Sequence, residues 1–325
     1  MSRHFNDYRG SNSLIYIREL LADFELKGPP VPLEEIAKFL DLEVIEYDPP
    51  PGLVSRETLT TQCARLEPKE KRIYVYKQIS LGRKRFSIGH ECTHYLDPTH
   101  QESEHSCQDP SSPNCNKLVE QEASLGGAAM LFYPRLFIPD LLSFDNIGIK
   151  SIELLAERYA GSVEATALSF ARMHPGLCAI VVAEEPPPKL TVTNGVDESP
   201  RLPMNLRLAP AEMTGSIWKP PTGRFRGEGI KFPMQVKYTV RSSRFGAWIP
   251  SGRQIPETSL ICKSFLADQP LQGEVPASDF GSSSKTVFRA ECLPFGVDGS
   301  KNVMTLLWLT DNQIDLAISN PYAGW

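Results

Sequence analysis

The most chemically suggestive stretch of the chain is a histidine-glutamate-x-x-histidine sequence at residues 90–94. His90 and His94 are four positions apart, so on an α-helix they lie one turn apart on the same face. Two neutral imidazoles placed in this way can bind one Zn²⁺, and Glu91 would then stand beside a zinc-activated water. The spacing therefore predicts a metal site on a helix, with Glu91 as a general base.

The residues around this motif favour a buried helix. Between Arg85 and Leu96, Glu91 is the one acidic side chain. A carboxylate on a mostly apolar helix is costly to bury unless it has a partner or a role. The alternative is that the two histidines are ordinary core or surface residues, because short motifs also arise by chance.

A third metal ligand is available on the next predicted helix, residues 116–131. Glu120 lies 26 positions after His94, which is enough chain for a loop and a returning helix. Two histidines and one glutamate leave a fourth position open, and this is a common catalytic zinc set. Glu122 is the competing candidate, because it is also acidic and lies two residues further on.

Four segments of the chain, in order, resemble the motifs of ImmA/IrrE-type metallopeptidases. They are Pro30-Val31-Pro32-Leu33 with Ile36, Ala37 and Leu40; Arg83-Lys84-Arg85-Phe86-Ser87-Ile88-Gly89-His90-Glu91; Glu120-Gln121-Glu122-Ala123-Ser124-Leu125-Gly126-Gly127-Ala128-Ala129-Met130-Leu131; and Leu155-Ala156-Glu157-Arg158-Tyr159 with Ser162. The resemblance spans roughly residues 12 to 182. The chain departs from the family's commoner residues at a few positions: Thr93, Ser124, Gly126, Gly127 and Gly161.

The resemblance implies a role for each site residue. His90, His94 and Glu120 would bind Zn²⁺, or another first-row ion such as Mn²⁺, because this ligand set discriminates poorly by affinity. Glu91 would be the catalytic base. The resemblance implies an α+β chain with a zincin-like (gluzincin-type) helical peptidase domain and a small sheet.

Members of this family cleave helix-turn-helix repressors of the Cro/cI type in stress or mobile-element responses. We therefore expect a metallo-endopeptidase whose protein substrate is such a repressor, acting in transcription regulation. The rival hypothesis is a metal-bearing regulatory protein that senses a ligand through its C-terminal part without hydrolysis.

Length and composition predict two domains and a cytoplasmic location. The 325 residues are predicted to divide after residue 182. The resemblance implies a peptidase domain at 1–182, and the β-rich α+β domain at 183–325 resembles a GAF-like module that would serve sensing or substrate docking. The net charge of −5 gives no global reason to bind nucleic acid or acidic membranes. The sequence has no signal-peptide core and no apolar run of about 18 residues. Seven irregularly spaced cysteines do not indicate a disulfide framework, and the oligomeric state is undetermined.

Several local patterns make further predictions. Residues 13–27 are predicted to be a helix, and residues 42–47 a strand. Residues 72–76 are predicted to be a strand that either lines the cleft and pairs with an extended substrate or is a plain sheet strand. A β-rich C-terminal region is predicted from a turn at 184–188 and from apolar runs at 234–240, 259–266, 286–292 and 303–309.

Two regions allow a competing functional interpretation. Residues 152–173 have the outline of a helix-turn-helix, but the second helix carries one basic and one acidic residue, so packing against the catalytic helices is favoured over DNA binding. Between the site helices lie His100, His105, Cys107 and Cys115, which predict an exposed polar loop, with a second structural metal as the alternative. Cys92 is predicted to be a small core residue.

Overall fold

The computed structural model describes residues 12–24, 26–48, 63–101, 117–186, 233–297 and 300–309. The part before residue 178 is mainly helical. Its helices are α1 (Asn12–Asp23), α2 (Leu33–Phe39), α3 (Leu81–Leu96), α4 (Pro98–Gln101), α5 (Lys117–Leu131), α6 (Pro134–Leu142), α7 (Ile149–Arg158) and α8 (Val163–Met173). Among the described residues, no helix is long and apolar enough to cross a membrane.

A three-stranded sheet accompanies these helices. Its strands are β1 (Glu43–Tyr47), β2 (Ala64–Glu67) and β3 (Arg72–Tyr76), in the order β1-β3-β2. β3 pairs with β1 in parallel and with β2 in antiparallel register, so both of its edges are occupied. An extended substrate cannot add to β3, and the interpretation as a plain sheet strand is therefore correct. β2, which lies at the edge of this sheet among the described residues, was not predicted from the sequence.

The alternation of side chains along β2 was the overlooked signal. Ala64 and Leu66 are buried, whereas Arg65 is exposed and Glu67 is half-buried. Apolar and charged residues thus alternate with a period of two, as in a strand with one buried face. Four residues are too few for this pattern to be distinctive without the partner strand.

A six-stranded antiparallel sheet dominates the rest of the chain. Its strands are β4 (Cys178–Glu184), β5 (Met234–Arg241), β6 (Gln254–Ile255), β7 (Leu271–Pro276), β8 (Val287–Val297) and β9 (Ser300–Trp308), in the order β6-β5-β4-β9-β8-β7. The helices and the two sheets together confirm the predicted α+β class. The sequence also predicts a turn at Pro49–Gly52 and a locally basic stretch that begins with Arg224, Arg226 and Lys231, and these residues lie outside the described ones.

Strand β4 is buried on both faces. Cys178, Ile180 and Val182 join the core formed by the helices, whereas the alternate residues Ala179 and Val181 join a second core on the opposite face. This double burial explains why the strand is an uninterrupted apolar run. The predicted domain boundary after residue 182 falls inside β4, and the helical core includes residues of the sheet.

One of the predicted elements differs in the structure. Residues 259–266 were predicted as part of a β-rich region, but Leu260–Ala267 forms helix α9, which buries Ile261, Cys262 and Phe265. A spacing of three and four residues between buried positions is that of a helix face. Helix α8 packs mainly against α7, β4 and β5, and its Phe170 and Ala171 belong to the same core as Ile88 of α3 and Met130 of α5. It buries Phe170, Ala171 and Met173, among others.

Candidate metal centre

The predicted site residues come from two adjacent helices. α3 carries His90, Glu91 and His94, and α5 carries Glu120 in its first turn. The side chains of His90, His94 and Glu120 converge, and their ligand atoms all lie within 4.8 Å of one another. The structure therefore brings together all three residues that the sequence predicted as metal ligands.

The separations between the ligand atoms suit a single metal ion. Nε2 of His90 lies 3.1 Å from Nε2 of His94 and 3.3 Å from Oε2 of Glu120. Nε2 of His94 lies 3.7 Å from Oε1 of Glu120. Ligands bound to a tetrahedral zinc at its usual bond lengths are roughly 3.3–3.5 Å apart. A divalent cation therefore fits between these three groups after shifts of a few tenths of an ångström.

Glu91 is held beside this cluster by the edge strand β2. Its side chain is buried, at 3% exposure. The backbone N–H of Leu66 donates a hydrogen bond to the carboxylate, while Oε2 has no hydrogen-bond partner among the described residues. An unpartnered buried carboxylate oxygen is costly. The absence of a partner for Oε2 is explained if this oxygen accepts a proton from a water held in the site.

Burial is the dominant cause of the pKa shifts of Glu91 and His94. It raises the pKa of Glu91 to about 7, and the neighbouring charge of Glu120 adds to the rise. Burial also lowers the pKa of His94 to about 3, so this imidazole is neutral and able to bind a metal. Burial opposes the charged form of His90 as well, but its contact with Glu120 and the charge of Glu91 outweigh that effect and raise its pKa.

Glycines allow α3 and α5 to approach closely at the site. A Cβ atom on Gly127 would lie 2.9 Å from the backbone nitrogen of His90. A Cβ atom on Gly89 would lie 3.2 Å from the carbonyl oxygen of Gly127. Small residues at a helix crossing shorten the distance between the axes. Gly127, which departs from the resembled family's alanine, thus contributes to bringing Glu120 within reach of the histidines.

The competing ligand Glu122 belongs to a different cluster. Its Oε2 lies 3.2 Å from Nε2 of His100, and the same nitrogen is 3.8 Å from Oδ2 of Asp97. His100 is buried on α4, so the prediction of an exposed polar loop is wrong at this residue. His105, Cys107 and Cys115 lie outside the described residues.

Two further residues near the centre were not given roles by sequence reasoning. Oγ of Ser124 lies 3.5 Å from Nδ1 of His90, the ring nitrogen that faces away from the cluster. Such outer contacts fix the tautomer and orientation of a ligating imidazole. Leu66 acts through its backbone, which no side-chain motif could reveal.

Comparison with known proteins supports the fold alone. No family model and no curated protein matches the chain in sequence. Among solved structures, a Mycobacterium tuberculosis transcriptional regulator matches 91% of this chain and 76% of its own, with a TM-score of 0.51 and 13% sequence identity. The match extends over most of the chain, so it includes both the helical part and the six-stranded sheet.

Proposed function

We propose that the chain is a metal-dependent endopeptidase, with His90, His94 and Glu120 as the metal ligands. The single observation that carries the proposal is the convergence of these three side chains around one point, beside a buried Glu91 whose Oε2 lacks a partner. Three protein ligands with one open position characterise catalytic rather than structural zinc sites. The zincin-like assignment of the helical part and the GAF-like assignment of the sheet belong to this same proposal.

The protein groups have separable roles in this reaction. A bound Zn²⁺ or Mn²⁺ would acidify a water molecule and polarise the peptide carbonyl. Glu91 accepts the proton of the attacking water and returns it to the leaving amine, so that the peptide bond breaks and water is added across it.

The edge of β2 that faces away from β3 has no strand partner among the described residues, and this supports a peptide substrate. The N–H of Leu66 points away from β3 toward Glu91, so this edge of the sheet faces the candidate centre. An extended peptide that pairs with such an edge places its backbone carbonyls next to the adjacent catalytic groups. A helix-turn-helix repressor of the Cro/cI type remains the proposed substrate, and its unfolded or linker segment would supply the extended strand.

Metal content and cleavage test the proposal together. Wild type, Glu91→Gln and Glu120→Ala would be purified, checked for folding and analysed for bound metal. The proposal expects metal at the centre in wild type and Glu91→Gln, with at least a tenfold weaker metal affinity in Glu120→Ala. Wild type, but not Glu91→Gln, should cut a repressor encoded beside the gene. Equal metal affinity in wild type and Glu120→Ala would refute the ligand assignment.

The second candidate is a non-proteolytic regulatory protein that binds a ligand through the six-stranded sheet. The observation that favours it is the extent of the structural match to a protein named as a transcriptional regulator. Metal binding without cleavage, together with ligand-induced stabilisation of the sheet, would support this candidate over the endopeptidase.

A further inference from the structure

A second cluster of metal-ligating side chains lies next to the candidate centre. It consists of Asp97, directly after α3, His100 on α4, and Glu122 on α5. One ligand atom from each lies within 4.8 Å of the other two. The rings of His94 and His100 are in contact, with centroids 5.0 Å apart, so the two clusters are neighbours.

This cluster is largely buried, and hydrogen bonds orient its Asp97 carboxylate, as in a preorganised metal site. Asp97 and His100 are 1% and 5% exposed, whereas the side chain of Glu122 is 38% exposed and gives the cluster an opening toward solvent. Ser13 donates a hydrogen bond of 2.5 Å to Oδ2 of Asp97. The backbone and hydroxyl of Thr99 donate to Oδ1. These donors fix the carboxylate and leave Oδ2 able to accept one more partner.

The charges of the cluster favour a divalent cation. Among the described residues, the ion pairs of Asp97 and Glu122 all go to His100, and neither carboxylate pairs with a lysine or arginine. Two carboxylates and a neutral imidazole carry a charge of −2, and even a protonated imidazole leaves −1. An uncompensated charge is costly at Asp97, which is 1% exposed. One divalent cation would cancel the charge of −2 that the two carboxylates carry beside a neutral imidazole.

We propose that Asp97, His100 and Glu122 form a second divalent-cation site, distinct from the centre of His90, His94 and Glu120. One imidazole and two carboxylates are ligands suited to Zn²⁺ or Mn²⁺. The site ties together the end of α3, α4 and the first turns of α5, with Ser13 of α1 orienting Asp97. Its role is to hold the helices that present the catalytic groups, and it does not require the chain to be a peptidase.

Zinc stoichiometry on the full chain tests this site. Chelator-stripped protein would be titrated with Zn²⁺ by calorimetry, and bound zinc would be counted after dialysis. Wild type should bind about two ions, and both His90→Gln and Glu122→Gln about one. The double variant His90→Gln/Glu122→Gln should retain neither ion. Glu19→Gln, at an exposed position on α1, is the matched carboxylate-to-amide control and should bind as wild type.

A second variant guards against misfolding of Glu122→Gln. His100→Gln removes the imidazole and should lose the same ion, with circular dichroism confirming the helices in both variants. One zinc in wild type that is kept in Glu122→Gln and lost in His90→Gln would overturn this site and leave the proposed function standing. One zinc in wild type that is kept in His90→Gln but lost in Glu122→Gln and His100→Gln would support this site and overturn the metal centre of the proposed function. Two ions that persist in both Glu122→Gln and His100→Gln would place the second ion elsewhere and also overturn the proposal.

Discussion

Thr93 occupies the space that Gly126 leaves open where α3 crosses α5. A Cβ atom on Gly126 would lie 2.4 Å from Cγ2 of Thr93, far closer than two carbon atoms can approach. Thr93 is buried and its hydroxyl donates to the carbonyl oxygen of Gly89 within the same helix. The two positions each depart from the resembled family, and the structure shows that they depart as a complementary pair.

A double-mutant cycle should therefore show coupling between these two residues. Gly126→Ala should lower the free energy of unfolding by about 1–2 kcal/mol, because overpacking exceeds the gain in helix propensity. Adding Thr93→Ala removes two of the three closest atoms and leaves Cδ1 of Ile17 at 2.6 Å, so the double variant should be about 1 kcal/mol more stable than the sum of the single effects predicts. Urea denaturation measures all four proteins.

Gly246→Ala provides the control for this cycle. A Cβ atom on Gly246 meets nothing within 4 Å, so the change should alter stability by less than about 0.5 kcal/mol. Strict additivity of Thr93→Ala and Gly126→Ala would contradict the complementary packing of the pair.

The buried carboxylate of Glu91 should make the metal-free chain less stable as pH rises. Its pKa is raised from 4.5 to about 7 in the folded chain. The folded state therefore holds the proton more tightly than the unfolded state, and stability present below pH 4.5 is lost as the pH rises through 7. The full difference corresponds to about 3 kcal/mol at most.

Denaturation in the presence of chelator at pH 5 and pH 8 checks this expectation. Wild type should lose stability relative to Glu91→Gln over that interval, because glutamine does not titrate. Glu157→Gln, at an exposed position on α7, should keep the pH dependence of wild type. An unchanged difference between wild type and Glu91→Gln at the two pH values would mean that Glu91 ionises normally.

Glu291 should stabilise the contact between the six-stranded sheet and the helices. Its carboxylate accepts a hydrogen bond of 2.6 Å from the backbone N–H of Ile149, the first residue of α7. A carboxylate at a helix N-terminus is favoured by the unpaired N–H groups and by the helix dipole. Glu291→Ala should cost about 1–2 kcal/mol in the free energy of unfolding.

The exposed Glu274 on β7 supplies the comparison for this contact. Glu274→Ala removes a carboxylate from the same sheet that accepts no hydrogen bond from a helix N–H among the described residues, and thermal unfolding should separate the two variants. Equal melting temperatures for Glu274→Ala and Glu291→Ala would argue against a stabilising cap.

Cys92 should be chemically inert in the folded chain. The residue is 0% exposed, and burial raises the pKa of its thiol far above the ordinary value. Only the thiolate reacts readily with maleimides or disulfide reagents. Labelling of native protein should be the same in wild type and Cys92→Ala, whereas labelling in denaturant should differ by one thiol. Faster native labelling of wild type would show that α3 opens locally.

The sequence by itself determined the local chemistry of this protein. The four-residue spacing of His90 and His94 fixed their shared helix face, because helix geometry depends only on neighbouring residues. The apolar run of β3 likewise predicted a strand at its observed bounds. Short β2 and helix α9 were missed or misassigned, since their patterns are brief and acquire meaning only against the surfaces they cover.

The tertiary structure decided which residues meet. Sequence left Glu120 and Glu122 as competing ligands, and the approach of α5 to α3 directs Glu120 to the histidine pair and Glu122 to His100. That approach depends on the packing of glycines and a threonine from separate helices. It also depends on a backbone N–H of Leu66 that no side-chain pattern encodes. Contacts between distant segments follow from how the whole core packs, and no local pattern contains that information.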